Sequence, residues 1–199
     1  MRSTGAIVIL VLLLVVGFAG CAGCGTYNSL VAADVDVDQE WSNLEATYQR
    51  RADLIPNLVA TVQGAADFES ETLTAVTEAR TRAVNVNLEG DDLDNPARVQ
   101  EFLQAQGALN AATGSLINAV REDYPELGAT EAFRDLQTQL EGTENRINTQ
   151  RRDYNQAVAD YNRSVRTFPA NIVAGVSGFD RKVAFEAETG AENAPDVAF

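Results

Sequence analysis

Residues 133–165 carry the most regular pattern in the sequence, and this pattern restricts the fold more than any other feature. Core-type positions recur there in steps of three and four, at Phe133, Leu136, Leu140, Thr143, Ile147, Gln150, Tyr154, Ala157, Tyr161 and Val165. Steps that average about 3.5 residues keep one stripe of a helix against its neighbours along its whole length. We therefore predict a long helix packed in a bundle. The two polar members of the stripe, Thr143 and Gln150, are expected to set the register between helices.

Residues 28–83 repeat the helical spacing and predict another long helical stretch. Pro56 interrupts it, and a proline in a helix interior costs ~3 kcal/mol because it removes a hydrogen bond and crowds the preceding turn. The apolar stripe resumes in phase after Pro56, so the pattern favours a kink over a helix end. A break is expected near Gly64.

Residues 85–94 lose the periodicity and carry a glycine and three aspartates, which indicates an exposed acidic loop. Asn95 and Pro96 then supply a cap and a first helical residue. The helix that follows mixes large apolar residues with small ones, among them Gly107 and Gly114. The small residues predict close approach of neighbouring helices, and a ligand groove lined by them is the alternative.

These stretches together predict an all-α fold, a long-helix antiparallel bundle similar to a four-helix bundle over residues 28–167. Glycines and a proline loosen the pattern beyond it, so residues 168–199 are expected to form an irregular tail. Phe179 and Phe185 are expected to cover the bundle. The role of Phe199 stays open between cover and partner contact.

Two Tyr-Asn pairs stand seven residues apart in the most regular helix. Tyr154 and Asn155, then Tyr161 and Asn162, fall on one face of that helix, two turns from each other. The rings are expected to fill the core while the phenol and amide groups bond across to another helix. We interpret the four residues as a structural polar core, with ligand binding as the alternative.

Residues 1–24 predict a membrane segment ahead of a folded region at residues 27–199. Residues 6–24 form an uncharged, mostly apolar run behind Arg2, and a membrane span needs ~20 such residues. The run fits either a single-pass anchor or a lipoprotein signal, in which the residues before Cys21 resemble a lipobox and Cys21 would be lipidated. Few positive charges precede the run and four acids follow it at residues 34–40, which predicts a cell-membrane protein whose folded region lies outside the cytoplasm.

Charge and composition exclude several classes of function. Acids outnumber bases by 29 to 15, and this net charge of −14 disfavours nucleic-acid binding and basic-patch adhesion to anionic lipids. The chain has no histidine, and its two cysteines, Cys21 and Cys24, lie at the end of the apolar run. Imidazole chemistry, thiolate catalysis in the folded region and His or Cys metal sites are therefore excluded. We predict no enzymatic activity, no metal and no cofactor.

The least generic stretch is residues 50–59, with the sequence RRADLIPNLV. Arg50, Arg51, Asp53 and Asn57 concentrate charged and amide groups around the predicted kink. We predict these four as partner-contact residues. The alternative is a solvated helix face whose proline is tolerated.

This stretch resembles the signature of the LemA family, which comprises membrane-tethered helical proteins of bacteria and archaea. Other stretches are similar to motifs of the family and follow its order: residues 27–31, 69, 79–80, 122–127 (EDYPEL), 140–147 (LEGTENRI), 154–155 and 161–162 (both YN), 168–169 (FP) and 194–199 (APDVAF). The resemblance covers nearly all of the chain after residue 26 and is weakest at residues 84–94.

The resemblance implies a LemA-like helical domain without established enzymatic activity. It implies a membrane-anchored scaffold or adaptor that contacts other envelope or membrane proteins, in envelope homeostasis or membrane-protein quality control. The alternative is a helical bundle that binds lipid or a small ligand at the membrane, with the helix rich in glycine and alanine lining the cavity.

Overall fold

A computed structural model describes residues 2–64, 70–88 and 90–185 of the chain, and every regular element in these ranges is helical. In chain order the elements are α1 (Arg2–Gln63), α2 (Ser70–Asn85), a 3-10 helix (Gly90–Asp94), α3 (Pro96–Asp123), α4 (Pro125–Gly128), α5 (Glu131–Arg166) and α6 (Ala170–Ser177). The all-α prediction is confirmed for this part of the chain.

Helices α1, α2, α3 and α5 pack side by side as a bundle, in which α1 contacts α5 and α2 contacts α3 most extensively. The direction of α1 and α5 follows from paired residues. Trp41 contacts the ring of Tyr154, and ten residues further along α1 the Arg51 guanidinium bonds to Glu144. Residue numbers rise along α1 while they fall along α5, so these two helices are antiparallel, as predicted.

Two apolar clusters fill the bundle and are centred at different heights along it. The first contains the end of α1 with α2, the second half of α3, α4 and the start of α5, including Ile55, Leu58, Val76, Leu116 and Phe133. The second contains the middle of α1, the 3-10 helix, the start of α3, the second half of α5 and Phe185. Full burial of a leucine or phenylalanine contributes about 1.5–3 kcal/mol relative to exposure, so these clusters supply most of the stabilising free energy.

Helix α1 continues through Pro56 and ends at Gln63, beside the break predicted near Gly64. Ile55 and Leu58, on either side of the proline, are both buried, while Pro56 itself is exposed. The apolar stripe therefore keeps its phase across the proline, and the alternative of a helix end at this position is excluded.

Helices α3 and α5 begin at capping residues that satisfy otherwise unpaired backbone N–H groups. The Asn95 side-chain oxygen accepts a hydrogen bond from the Ala97 N–H at 3.0 Å, and Pro96 is the first helical residue. The Thr130 hydroxyl accepts a hydrogen bond from the Phe133 N–H at 3.4 Å. The predicted start of α3 is confirmed.

The prediction of an exposed acidic loop at residues 85–94 is wrong for two of its residues. Leu88 and Leu93 are each only 1% exposed and belong to the second apolar cluster. The indole N–H of Trp41 donates to the Leu88 carbonyl at 3.2 Å, which closes this segment over the bundle. Burial of these two leucines in the second cluster holds the segment on the bundle, although neither belongs to a periodic pattern.

The prediction of an irregular tail from residue 168 is corrected by α6. Its residues are uncharged and mostly apolar. The helix ends at Ser177 and is followed by Gly178, whose φ of +77° belongs to the left-handed region that glycine adopts readily. Phe185 is buried and Phe179 packs half-buried against the second cluster, so the predicted cover is confirmed for both. Phe199 lies outside the described residues.

Gly107 and Gly114 do not mediate the close helix approach predicted for α3. A Cβ atom built on either glycine would meet no heavy atom within 4 Å. These positions lie at the partly exposed edge of the helix, where the other three helices leave room for a side chain.

We expect Gly107→Ala and Gly114→Ala each to raise the free energy of unfolding by about 0.5–1 kcal/mol. Alanine loses less backbone entropy than glycine on entering a helix, and here its methyl group displaces nothing. Urea denaturation of each single variant measures the effect. Destabilisation by either alanine would show that a neighbouring helix does approach that position closely.

Candidate functional site

The side chain of Arg51 lies inside the bundle, between the two apolar clusters, and the residue is only 4% exposed. One terminal nitrogen, Nη1, donates to Oε2 of Glu144 on α5 at 2.8 Å. The other, Nη2, donates to both the side-chain and the backbone oxygen of Gln106 on α3, at 2.8 and 3.1 Å. A planar guanidinium suits this role because its donors point in fixed directions toward two different helices.

The network around Arg51 extends to α2 and to an aromatic ring. The Gln106 amide nitrogen donates to the Ala83 carbonyl of α2 at 3.2 Å, and the guanidinium carbon lies 5.2 Å from the Tyr48 ring centroid. The remaining nitrogen of the guanidinium, Nε, is buried and has no hydrogen-bond partner among the residues that the structure describes. One arginine thus connects α1, α3 and α5 directly and α2 through Gln106, and we conclude that it sets the relative positions of the four helices.

The structure separates the four residues predicted to contact a partner. Arg50, Asp53 and Asn57 are exposed on one face of α1, whereas Arg51 points into the bundle. The Asp53 carboxylate accepts a hydrogen bond from the Gln49 amide at 2.9 Å. Arg51 is therefore corrected from a surface residue to a structural one, because burial removes it from contact with any partner. Partner contact by the other three stays a prediction.

The two Tyr-Asn pairs of α5 hold residues 179–185, which we call the tail segment. The Asn155 amide donates to the Phe185 carbonyl and accepts from the Phe185 N–H, both at 2.8 Å. The Asn162 amide makes the same pair of bonds with the Lys182 backbone, at 2.9 and 3.1 Å. Each side-chain amide therefore satisfies a donor and an acceptor of the tail segment, as a neighbouring strand would.

The tyrosines of these pairs are buried, as predicted, and their phenols add two bonds to the tail segment. Tyr154 donates to the Val183 carbonyl at 3.1 Å and Tyr161 to the Asp180 carbonyl at 2.8 Å. The predicted partner, another helix, is wrong. Helices satisfy their own carbonyls, whereas an irregular segment leaves its backbone groups available to side chains.

Lys182, the only lysine of the sequence, lies among three aspartates with a side chain only 8% exposed. Its Nζ is 3.1 Å from Asp34, 3.7 Å from Asp38 and 3.8 Å from Asp94. Burial alone would lower the pKa of Lys182, but the hydrogen bond to Asp34 and the charges of the three aspartates raise it overall. This cluster connects the tail segment to α1 and to the 3-10 helix.

The two buried tyrosines also resist ionisation. Burial raises the pKa of the Tyr154 phenol above its ordinary value, and nearby aspartates raise it further. The pKa of Tyr161 is raised for the same reasons, with burial again the largest cause. A phenolate at either position would lose its hydration and face carboxylates.

We expect the tail segment to detach as the pH rises above about 10. In that range the unfolded chain releases protons from Lys182, Tyr154 and Tyr161, whereas the folded chain keeps them. The unfolded state then binds fewer protons, so the free energy of unfolding falls with increasing pH. Trp41 fluorescence recorded between pH 8 and 11.5 follows this change, because the indole contacts the Phe185 ring.

The control for this pH dependence is Tyr161→Phe, which keeps the ring and removes the ionisable group. Its stability should fall less steeply above pH 10 than that of the wild-type chain. Equal slopes for the two chains would contradict a contribution from the Tyr161 phenol.

The candidate lipidation residue Cys21 belongs to α1, but its side chain lies outside the described residues, so its lipidation stays a prediction. Cys24 is an exposed free thiol. Among the residues whose side chains the structure describes, which leave out most of residues 2–22, no helix is long and apolar enough to cross a membrane.

The part of the chain that the structure describes holds no group of three or more His, Cys, Asp or Glu side chains arranged for a metal ion.

Sequence reasoning missed the partners of Arg51 and the cluster around Lys182. Glu144 and Gln106 lie 93 and 55 residues from Arg51, and helical periodicity carries no information on pairs so far apart. One signal for Lys182 was available. Lys182 is the single lysine among 15 basic residues of the sequence, and this singled it out from the arginines.

Comparisons with known proteins place the chain among related sequences. A family model described as the LemA family matches residues 40–199, which begins later than the motif resemblance from residue 27. Magnetosome proteins MamQ 1 and MamQ 2 of Paramagnetospirillum magneticum are each 31% identical over 176 residues, which cover 80% of this chain and 64% of theirs. Protein LemA of Metamycoplasma hominis is 26% identical over 167 residues, which cover 83% of this chain and 71% of its own. The chain thus spans less than two thirds of the MamQ proteins.

Proposed function

The chain belongs to the LemA family, and from this premise we propose that it is a membrane-anchored, non-enzymatic helical scaffold that contacts other envelope or membrane proteins. The family and the MamQ relatives suggest a membrane-associated protein that is not an enzyme. The proposal adds that residues 1–24 hold the protein at the membrane and that the bundle lies outside the cytoplasm. It also adds a role in envelope homeostasis or membrane-protein quality control.

One observation carries the proposed contact surface: three polar residues of α1 are exposed in the same stretch of helix that carries the buried Arg51. Arg50, Asp53 and Asn57 are spaced by three and four residues and therefore share one face of the helix. Arg51, which lies among them in the same stretch of α1, bonds to α3 and α5. We call these three residues the α1 contact face.

A rigid surface of this kind favours binding because little conformational entropy is lost when a partner docks. Each rotamer-rich side chain that must be ordered costs ~0.5–1.5 kcal/mol, so a fixed backbone limits the cost to the side chains themselves. An exposed arginine beside a carboxylate and an amide offers donors and acceptors to a polar partner. Arginine is also among the residues that contribute most to protein interfaces.

The test is photo-crosslinking of the full chain in its native membranes, with a photoreactive residue in place of the exposed Ala46 on the same face. The wild-type chain is compared with the triple variant Arg50→Ala, Asp53→Ala, Asn57→Ala. The matched control is Arg152→Ala, Asp153→Ala, Gln156→Ala, which removes the same kinds of group from an exposed part of α5. Circular dichroism first verifies that all chains are equally folded.

We expect a discrete crosslinked protein with the wild-type and control chains and its loss with the α1 variant. An identical product from the α1 variant would refute the α1 contact face. No protein product from any of the three chains would refute the scaffold itself. Membrane flotation with and without residues 1–24 tests the anchor separately, and protease protection tests the side on which the bundle lies.

The alternative, a bundle that binds lipid or a small ligand, is favoured by an apolar groove between α1 and α6. The sequence had predicted a cavity lined by the glycines of α3, but no residue of α3 lines this groove. Scaffold and lipid contact can coexist, since the groove and the α1 contact face involve different residues.

A further inference from the structure

Residues 168–178, which include α6, expose large apolar side chains and contain no charged residue. Phe168, Ile172 and Val176 are spaced by four residues and are 75%, 59% and 85% exposed. Single exposed apolar residues are common on soluble surfaces, but a contiguous apolar face marks an interaction surface. We call these three residues the α6 apolar face.

The α6 apolar face lies beside the point where the uncharged run of residues 6–24 ends. Helix α6 packs against α1 and α5, and a groove of about 450 Å³ separates it from α1. Cys24 and Tyr27 line one side of this groove, and Val173 and Val176 line the other. At a rise of about 1.5 Å per residue, Tyr27 is only about 4.5 Å along the helix axis from Cys24, the last residue of the run. The groove therefore lies within one helical turn of the end of the run.

We propose that α6 lies in the membrane interface and that Phe168, Ile172 and Val176 contact lipid acyl chains, as a second attachment beside the N-terminal run. This inference rests on the proposed membrane anchoring. A continuous helix through residues 6–24 places its next turn at the membrane surface, so a helix packed on that turn is held at the same depth. An apolar helix at that depth lies against lipid.

The composition of residues 168–178 supports lipid, rather than water, as the medium that contacts the α6 apolar face. An interfacial helix lowers its free energy by placing apolar side chains among acyl chains, and a charge on the inserted face would add a desolvation cost. Residues 168–178 contain no charged residue and avoid this cost. Exposed arginines, Arg166 and Arg181, bracket the segment, and their long stems allow the charged ends to reach lipid phosphates. Asp180 is the only acid next to the segment on its carboxyl side.

The test labels the full, unmodified chain in vesicles of phosphatidylcholine that carry a photoactivatable diazirine in the acyl chain. Trypsin then releases the peptide of residues 167–181, bounded by Arg166 and Arg181, and mass spectrometry measures its lipid adducts. The peptide of residues 3–50 contains the N-terminal run and reports anchoring. The peptide of residues 99–121 from α3 is the matched control, since it is also mainly apolar and helical.

We expect lipid adducts on residues 3–50 and on residues 167–181, with the second several-fold above those on residues 99–121. The variant Val176→Asp should lower labelling of residues 167–181 several-fold and leave that of residues 3–50 unchanged. Because Val176 is almost fully exposed, the variant should unfold at the same temperature as the wild-type chain.

The outcomes separate this inference from the proposed function. Adducts on residues 3–50 without adducts on residues 167–181 would overturn the α6 contact and leave the anchor intact. No adducts on either peptide would overturn both. Adducts on residues 167–181 that are unaffected by Val176→Asp would overturn the assignment of the α6 apolar face as the contacting surface.

Discussion

Arg51→Ala is expected to lower the free energy of unfolding by roughly 2–3 kcal/mol. The substitution leaves the buried side-chain oxygen of Gln106 without its donor, and an unsatisfied buried polar group costs about 1–3 kcal/mol. It also removes the partner of Glu144. Breaking a fully buried ion pair costs about 3–5 kcal/mol. The Glu144 side chain is 34% exposed, so water replaces part of the lost interaction. The expected loss of roughly 2–3 kcal/mol therefore lies below the cost of breaking a fully buried pair.

The neighbouring residue supplies the matched control. Arg50→Ala removes the same side chain from the exposed side of the same helix turn, and we expect a change within about 0.5 kcal/mol. Urea denaturation of both single variants measures the difference. Equal losses from the two substitutions would show that the internal network does not stabilise the bundle.

Phe185→Ala is expected to cost roughly 3–4 kcal/mol of the free energy that holds the tail segment on the bundle. The Phe185 ring centroid lies 4.8 Å from that of Tyr154 and 5.9 Å from that of Trp41, and the residue is only 4% exposed. Replacing a buried phenylalanine by alanine loses the transfer free energy of the ring and leaves a cavity. The substitution keeps the hydrogen bonds between the residue 185 backbone and Asn155. These bonds alone must then hold the tail segment, because its buried aromatic ring is gone.

Two readouts distinguish loss of the tail segment from unfolding of the bundle. Trp41 fluorescence reports the local contact, whereas far-ultraviolet circular dichroism reports the helices. We expect the fluorescence to change at lower urea concentration than in the wild-type chain, while the helical signal persists. Phe168→Ala is the control, since Phe168 is 75% exposed and its loss should change neither transition. A fluorescence transition at the wild-type urea concentration would contradict the anchoring role of Phe185.

The positions of the helices follow from neighbouring residues, and for that reason most of them could be predicted. Apolar spacing, the Asn95 cap and the following proline act within one or two turns, and they located α3 and α5 closely. The exceptions are short elements. Leu88 and Leu93 belong to no periodic pattern, so their burial could not be predicted. Helix α6 occupies part of a segment whose glycines indicated irregular structure.

Contacts across the bundle depend on tertiary structure, because they join residues that are distant in the chain. Arg50 and Arg51 are the same residue type at adjacent positions, and Arg51 alone finds bonding partners on α3 and α5, which lie 55 and 93 residues away. The buried rings of the Tyr-Asn pairs were predictable from their spacing on one helix face. The partners of the two asparagines, the backbone groups at Phe185 and Lys182, lie 30 and 20 residues away and were not predictable in this way. Periodicity assigns a side chain to the inside of a helix, but the group that it meets there is decided by how the other elements pack.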